Sequence, residues 1–240
     1  MIRQLERYRL MASNGVLFIV STPIGNLEDI TFRAIRILNE SSLIAAEDTR
    51  HTKKLFMHYK IITPTISYFE HNRFTRIPQI INHLNSEKNV AVVTDAGTPG
   101  ISDPAYKLIR AAIEKNINVE AIPGASASIT ALSASGLPTD RFLFEGFLPH
   151  KKGRRKKLER IASIEATIIL YESPMRLIRT LNDILDYIGD RPAVIGRELT
   201  KIHEEYKRGK VTELLSYFEK NKPRGEFVIM IGKDDPNVYF

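Results

Sequence analysis

Five short, mostly apolar segments alternate with amphipathic segments in the first half of the chain, and this alternation constrains the fold more than any other feature. The segments between them repeat apolar residues every three or four positions, which is typical of amphipathic helices. Strands that alternate with helices favour a parallel sheet with helices on both faces, so we predict an α/β fold. The predicted strands are residues 16–20, 43–46, 65–68, 90–93 and 119–122.

The stretch Val90–Pro104 contains the most informative of these units. A buried strand is followed by residues 95–100 (DAGTPG), a loop that can continue neither a strand nor a helix. Asp103 and Pro104 then predict a helix N-cap with proline in the first turn. Ligands bind at the carboxyl ends of strands in open α/β sheets, so this loop is a candidate ligand site. The alternative is a tight turn whose glycines only relieve backbone strain.

From residue 142 onward strands and helices alternate less regularly, which indicates a mixed sheet with flanking helices. Residues 136–139 (GLPT) are typical of a linker because glycine and proline end a stretch of small helical residues there. We therefore predict a flexible N-terminal arm over residues 1–14, an N-terminal α/β domain with a mostly parallel sheet over 15–139, and a C-terminal α/β domain over 140–240.

Composition excludes several classes of site. The chain has no cysteine, so it has neither disulfides nor thiolate metal ligands, and its six histidines lack paired metal-binding spacing. Dinucleotide, P-loop and G-x-S-x-G fingerprints are absent. No apolar run approaches the roughly 18 residues of a membrane span, and no signal-peptide pattern is present. We therefore expect a cytoplasmic protein that needs no metal and no membrane.

Charge points to a polyanionic partner. The formal net charge is +7 and the pI is about 9.5, and the excess is concentrated in residues 151–160 (KKGRRKKLER). Such a charge run is either a solvated helix face or a phosphate-binding surface.

Seven motifs, in order over about residues 15–232, resemble those of the tetrapyrrole-methylase family, and within it the branch that modifies small-subunit ribosomal RNA. Each motif alone is weak, but their number and order make the resemblance specific. They are STPIGNLEDIT (21–31), AAEDTRHTKKL (45–55), TDAGTPGISDP (94–104), PGASA (123–127), ALSASGLPTDRFLFEGFLP (131–149), YESPMR (171–176) and GRELTK (196–201).

The resemblance implies a two-domain, homodimeric methyltransferase that uses S-adenosyl-L-methionine. It further implies that the substrate is the small ribosomal subunit, in which the ribose 2′-hydroxyl of a cytidine in the decoding region of 16S rRNA is methylated. Carried over to this sequence, it assigns cofactor contacts to Pro23, Asp95, Ala96, Gly97, Thr98, Ile101 and Ser102, with Ser126, Ala127, Tyr171 and Glu226 as further candidates. It also favours RNA contact for Lys151, Lys152, Arg154, Arg155, Lys156 and Lys157.

Methyl transfer from a sulfonium needs an aligned acceptor oxygen and removal of its proton. The candidates for these roles follow predicted strands and are Glu47, Asp48, Arg50 and His71. The alternative is structural, with Glu47 and Asp48 capping a helix and Arg50 forming an ion pair with them. The sequence does not identify a specific base.

Three departures from the family pattern stand out: Ser21 in place of a proline, Ala125 in place of the proline of PGPSA, and Met175 in place of a histidine. Two other functions remain open, a tetrapyrrole C-methyltransferase on the same fold and a non-catalytic RNA-binding protein of ribosome assembly. The EDTRHT stretch and the basic run favour the RNA methyltransferase. Cofactor binding would separate both enzymes from the non-catalytic alternative.

Overall fold

The computed structural model describes residues 14–240, which divide into two compact units. The first unit ends at Ser126 and the second comprises Ala127–Phe240. Each contains one five-stranded sheet flanked by helices, so the predicted α/β class is confirmed. The predicted N-terminal arm lies outside the described residues, apart from Asn14.

The first unit is built on a fully parallel sheet, as the alternation of strands and helices predicts. The strand order is β3-β2-β4-β1-β5, so each of the central strands is paired on both sides. Strands β1 and β4 are buried at every position, which explains their continuous apolar sequences. The strands are β1 (Leu17–Val20), β2 (Leu43–Ala46), β3 (Thr65–Ser67), β4 (Val90–Val93) and β5 (Val119–Ile122).

Four helices cover the two faces of this sheet. They are α1 (Phe32–Glu40), α2 (Thr49–Tyr59), α3 (Arg73–Asn85) and α4 (Ala105–Glu114). The apolar faces of α1 and α2 pack in one core, and those of α3 and α4 pack in another with the opposite side of the strands. Helix α3 contains Pro78, which has no N–H to donate to the carbonyl of Phe74 four residues earlier.

The second unit has a mixed sheet, also as predicted. Its order is β6-β7-β10-β8-β9; β6 and β7 are parallel and the other neighbours are antiparallel. Three of its helices, α6 to α8, pack on one apolar core with the sheet. The elements are α5 (Ala127–Ser133), β6 (Phe142–Phe147), α6 (Arg154–Ala162), β7 (Thr167–Glu172), α7 (Leu177–Tyr187), β8 (Pro192–Arg197), β9 (Glu205–Lys210), α8 (Val211–Lys220) and β10 (Phe227–Ile231).

Helix α5 belongs to the second unit, although the sequence places a domain boundary after it, near residue 139. Two side chains of β9 hold α5 in the second unit through hydrogen bonds. The Tyr206 hydroxyl donates to the carbonyl of Thr130 at 3.3 Å, and the Arg208 guanidinium donates to the carbonyls of Ala134 and Ser135 at 2.6 and 2.9 Å. These contacts join positions more than 70 residues apart in the chain, so local composition cannot reveal them.

Arg154, which the sequence analysis assigns to RNA contact, has a side chain that is only 5% exposed and is bound to other residues of the second unit. Its Nε donates to Asp183 at 2.6 Å and its Nη2 to the Thr180 hydroxyl at 2.7 Å. Thr180 in turn donates to the buried carboxylate of Glu172 at 2.6 Å. Arg154 therefore anchors the start of α6 to α7. The adjacent Arg155 is 75% exposed and pairs with Glu159 one turn on.

We expect Arg154→Ala to lower the free energy of unfolding by about 3–5 kcal/mol, since it leaves the half-buried carboxylate of Asp183 and the buried hydroxyl of Thr180 without this partner. Arg155→Ala is the matched control, from which we expect a much smaller loss, because its ion pair with Glu159 is exposed to solvent. Urea unfolding followed by circular dichroism measures both. Equal stability of the two variants would contradict a structural role for Arg154.

Candidate functional site

Loops that follow β1 and β4 are hydrogen-bonded to each other at the carboxyl edge of the parallel sheet. Thr22 and Gly97 exchange two backbone hydrogen bonds, with N···O distances of 2.9 and 3.1 Å. The Thr22 hydroxyl donates to the carbonyl of Thr94 at 3.1 Å. Gly97 has a φ of +84°, a conformation in which a side chain is strained, so glycine is required for this close pairing.

Ser21 and Thr98 extend this junction to the loop that follows β5. Their hydroxyls lie 3.0 Å apart, and Thr98 Oγ1 donates to the carbonyl of Ala125 at 3.2 Å. The Ser21 N–H donates to Ile122 at 3.3 Å. A Cβ at Gly124 would lie 2.8 Å from the Ser21 Cβ, which requires glycine there. A proline at position 21, the residue that the family pattern predicts, would make neither of the bonds that Ser21 makes.

Glu47 connects the end of β2 to the end of β4. Its Oε2 accepts a 2.5 Å hydrogen bond from the Thr94 hydroxyl and a 3.3 Å bond from the Asp95 N–H. A second contact links the same two loops, because the Oδ1 of Asp95 accepts a hydrogen bond from the N–H of Asp48 at 3.1 Å. Glu47, Asp48 and Asp95 are thus brought together where the neighbouring strands β2 and β4 end.

Asp95 is electrostatically strained in this arrangement. Burial raises the pKa of its carboxyl above the usual aspartate value, and the negative charge of Glu47 raises it further. The hydrogen bond from the Asp48 N–H and the field of His51 oppose this rise in pKa. A carboxylate held at such a cost is a good partner for a ligand that brings positive charge or hydrogen-bond donors.

Asp48 and Arg50 form a local unit at the start of α2. Asp48 caps the helix by accepting from the Arg50 N–H at 2.8 Å, and the Arg50 guanidinium makes a two-point contact with the same carboxylate at 3.1 and 2.8 Å. These hydrogen bonds hold the pKa of Asp48 well below its usual range. A carboxylate with a low pKa is a weak base, so Asp48 is poorly suited to accept a proton.

His71 lies in the exposed turn between β3 and α3. Its ring contacts that of Phe69 edge-on, with centroids 6.3 Å apart. The hydrogen bonds that group Glu47, Asp48 and Asp95 do not involve His71.

A cavity of about 220 Å³ opens beside these loops in the first unit. Two predicted cofactor residues, Pro23 and Asp95, line it. The other lining residues were not predicted from the sequence; they are Thr22, Leu27, His51, Thr52, Lys54, Leu55 and Thr94. Four of these residues lie in α2 at the spacing of one helix face: His51, Thr52, Lys54 and Leu55. This spacing after Asp48 could have been recognised in the sequence.

The remaining cofactor candidates are distributed over both units. Ala96, Ile101 and Ser102 are exposed in the loop after β4, and Ser126 ends the first unit. Ala127, Tyr171 and Glu226 belong to the second unit. The Tyr171 hydroxyl accepts from the Ser128 N–H at 3.1 Å, and Glu226 pairs with Lys201 at 2.8 Å.

The basic segment is only partly available to a ligand. Lys151, Lys152 and Lys156 are exposed, whereas Lys157 forms an ion pair with the half-buried Glu145 at 2.5 Å. Arg160 also reaches Glu145, at 3.2 Å.

Searches of residues 14–240 found no group of three or more histidine, aspartate and glutamate side chains that could hold a metal ion. Over the same residues, no helix combines the length and apolar character that crossing a bilayer requires.

Residues 16–215 match the family model for tetrapyrrole (corrin/porphyrin) methylases. A protein of Synechocystis named ribosomal RNA small subunit methyltransferase I is 51% identical over 224 residues, covering 92% of this chain and 80% of that protein. A Thermotoga maritima protein of the same name is 50% identical over 221 residues, covering 92% of this chain and all of that protein.

Solved structures with the same fold include cobalt precorrin-4 methyltransferase, a cobalamin biosynthetic enzyme, with a TM-score of 0.68 at 18% identity over 90% of this chain and 94% of that one. Uroporphyrin-III C-methyltransferase from Thermus thermophilus, in complex with S-adenosylhomocysteine, has a TM-score of 0.64 at 18% identity, over 91% of this chain and 97% of that one. At this identity the likeness concerns the fold. Together with the family match and the relatives at about half identity, it shows that the chain belongs to the tetrapyrrole methylase family, in the branch of the ribosomal RNA small subunit methyltransferases I.

Proposed function

We propose that this protein is a methyltransferase that uses S-adenosylmethionine to methylate the ribose 2′-hydroxyl of a cytidine in the decoding region of 16S rRNA. The observation that carries this proposal is the identity of about one half, over more than nine tenths of the chain, to proteins named for methylation of small-subunit ribosomal RNA. The tetrapyrrole methyltransferases share only the fold, so they give no comparable support for a tetrapyrrole substrate.

The residues of the cavity fit part of the proposed cofactor. They combine the carboxylate of Asp95, three threonine side chains and the apolar side chains of Leu27 and Leu55 with the polar side chains of His51 and Lys54. This set suits a ligand with cationic, hydroxyl and aromatic parts. At about 220 Å³ the cavity is smaller than the pockets of roughly 300 Å³ or more that enclose drug-sized ligands. We therefore assign it part of the cofactor contacts, and further contacts to Ala127, Tyr171 and Glu226.

S-adenosylmethionine would supply a methyl group on a sulfonium, which is already a good leaving group. The protein's part is then to bind, orient and exclude water. Asp95 would accept hydrogen bonds from the cofactor's donors. Glu47 would fix Asp95 through its bond to the Asp95 N–H, and the Thr22–Gly97 pairing would keep the loop in register.

The low pKa of Asp48 argues for orientation rather than proton removal by this residue. Arg50 is 90% exposed on its side chain, and its guanidinium has donors beyond those that Asp48 occupies. We propose that this pair orients a phosphate or ribose group of the RNA, as Arg commonly does for phosphate. His71 remains a candidate for proton removal on the basis of the sequence.

The proposed partner is the small ribosomal subunit, with the protein acting as a cytoplasmic homodimer. The exposed Lys151, Lys152 and Lys156 would contact RNA phosphates. Lys157 contributes less to that surface because Glu145 neutralises it.

Methyl transfer from labelled S-adenosylmethionine to small ribosomal subunits, purified from cells that lack this protein, tests the proposal. The relatives' names support transfer of label to the RNA, and the proposed chemistry requires that nucleoside mass spectrometry then detect 2′-O-methylcytidine. Subunits from wild-type cells are the control and should accept little label. Absence of label from RNA, with cofactor binding intact, would contradict the substrate assignment.

Asp95→Asn tests the cofactor role together with the electrostatic strain. The raised pKa means that the folded protein holds the Asp95 proton more tightly than the unfolded chain, so ionisation of Asp95 as the pH rises lowers stability. Asparagine does not ionise, so the variant does not lose this stability. We expect a higher melting temperature at pH 7, and this difference should shrink as the pH falls from the raised pKa of Asp95 to the usual aspartate pKa. We also expect cofactor affinity to be reduced roughly tenfold or more.

Calorimetry with S-adenosylmethionine and thermal unfolding measure the two effects. Asp29→Asn, at an exposed position of the same unit, is the control and should change neither. An Asp95→Asn protein that binds cofactor as tightly as the wild type would exclude Asp95 from the site.

The basic segment is tested by the double change Lys151→Gln and Lys152→Gln. Each phosphate contact of single-stranded RNA releases about 0.7 counterion, so the slope of log affinity against log salt should become shallower by about 1.4. Lys220→Gln with Lys222→Gln removes the same charge from exposed positions of the same unit and should leave the slope unchanged. Titrations of RNA at several salt concentrations measure this, and equal slopes for both variants would argue against phosphate contact.

A further inference from the structure

Helices α3 and α4 enclose a second cavity of the first unit, of about 470 Å³, which none of the roles above uses. Its residues lie on the outward faces of the two helices, at positions separated by one, three or four residues. We call it the aromatic groove, and it is lined by Arg73, Phe74, Ile77, Tyr106, Lys107, Arg110, Ala111 and Glu114.

Two aromatic side chains project from this groove into solvent. Phe74 is 76% exposed and Tyr106 is 54% exposed. A large exposed apolar ring is costly in water, so two on one groove indicate a surface that is covered when the protein acts. Apolar residues of the same two helices, such as Ile80 and Leu108, are fully buried against the sheet, so the core does not need the exposed rings.

Cations accompany both rings. The Arg73 guanidinium lies 4.8 Å from the centroid of Phe74, and the Lys107 ammonium lies 5.6 Å from that of Tyr106. Arg110 adds a third cation, paired with Glu114 at 3.2 Å, and Arg73 pairs with Glu70. Aromatic faces for stacking and adjacent cations for phosphates are the combination that binds single-stranded nucleic acid.

The groove begins at the same edge of the sheet as the loops that carry Asp48 and Asp95. Helix α3 follows β3 and helix α4 follows β4, so their first turns lie at the carboxyl ends of the strands. The Tyr68 hydroxyl donates to the carbonyl of Pro104 at 3.1 Å, which joins the end of β3 to the start of α4. A nucleic-acid strand bound in the groove would therefore lead toward the candidate site.

We infer that the aromatic groove binds an unpaired segment of the RNA substrate by stacking bases on Phe74 and Tyr106 while Arg73, Lys107 and Arg110 contact its phosphates. This inference rests on the proposed function for the identity of the RNA. The groove's affinity for RNA can nevertheless be measured without catalysis.

Fluorescence anisotropy with a labelled, unstructured RNA oligonucleotide tests it in the full-length protein. We expect Phe74→Ala and Tyr106→Ala each to weaken binding about five- to a hundredfold, the range for loss of one base stack. Phe32→Ala, which removes a 92% exposed ring at the start of α1, is the matched control and should bind like the wild type. An RNA duplex of the same length should bind more weakly than the single strand and should be insensitive to these changes.

Arg110→Gln tests whether the positive charge of the groove contributes to RNA binding, and Arg36→Gln is the matched control. Both arginines form an i,i+4 ion pair with a glutamate on an exposed helix, at 3.2 and 2.7 Å respectively. Only the Arg110 change should make the salt dependence of RNA binding shallower, by about 0.7. Unchanged circular dichroism and melting temperature would show that the variants are folded.

Wild-type affinity of the Phe74 and Tyr106 variants for the single strand would overturn the inference. Analytical sedimentation of the same variants measures their oligomeric state. A loss of RNA affinity together with a change in oligomeric state would also overturn the inference, because the groove would then be an interface between copies of the chain. Failure of the proposed function has a different signature, since wild-type protein would leave ribosomal RNA unmethylated whether or not the groove binds the oligonucleotide.

Discussion

The carboxylate of Glu47 is the contact on which the arrangement of the candidate site depends. Parallel strands bring their carboxyl ends to one edge, but the chain leaves each strand as a separate loop. Glu47 joins two of these loops through the Thr94 hydroxyl and the Asp95 N–H, and Asp95 completes the connection to Asp48. The Thr22–Gly97 pairing adds the loop after β1. Three loops that are separate in the sequence thereby form one surface.

That connection has an electrostatic cost that falls on Asp95. Two carboxylates on adjacent strand ends repel each other, and partial burial of Asp95 removes the water that would screen the repulsion. A protein selected for stability alone would replace one of these acids. Their retention in this chain is consistent with a ligand that relieves the strain when it binds, which is a common origin of locally unfavourable electrostatics at functional sites.

Sequence patterns were sufficient for the sheets because their signals are local. The strands Leu43–Ala46 and Val90–Val93 have the predicted bounds, since apolar runs between turn residues mark buried strands directly. Arg154 could not be distinguished from its basic neighbours in the same way. Its inward direction depends on where α6 begins after Gly153, and its partners Thr180 and Asp183 are 26 and 29 residues further along the chain. The aromatic groove likewise needs the adjacency of two helices, which the order of elements does not reveal.

The first turn of α3 is fastened unequally at its two ends. On one side, Asn72 donates through its side-chain amide to the carbonyl of Ser67 and accepts from the Phe69 N–H, which binds the start of the helix to the end of β3. On the other side, Pro78 leaves the Phe74 carbonyl without the usual donor four residues later. We therefore expect a displacement of Ser67 to move the first turn of α3, which carries Phe74, more than the part of the helix that follows Pro78.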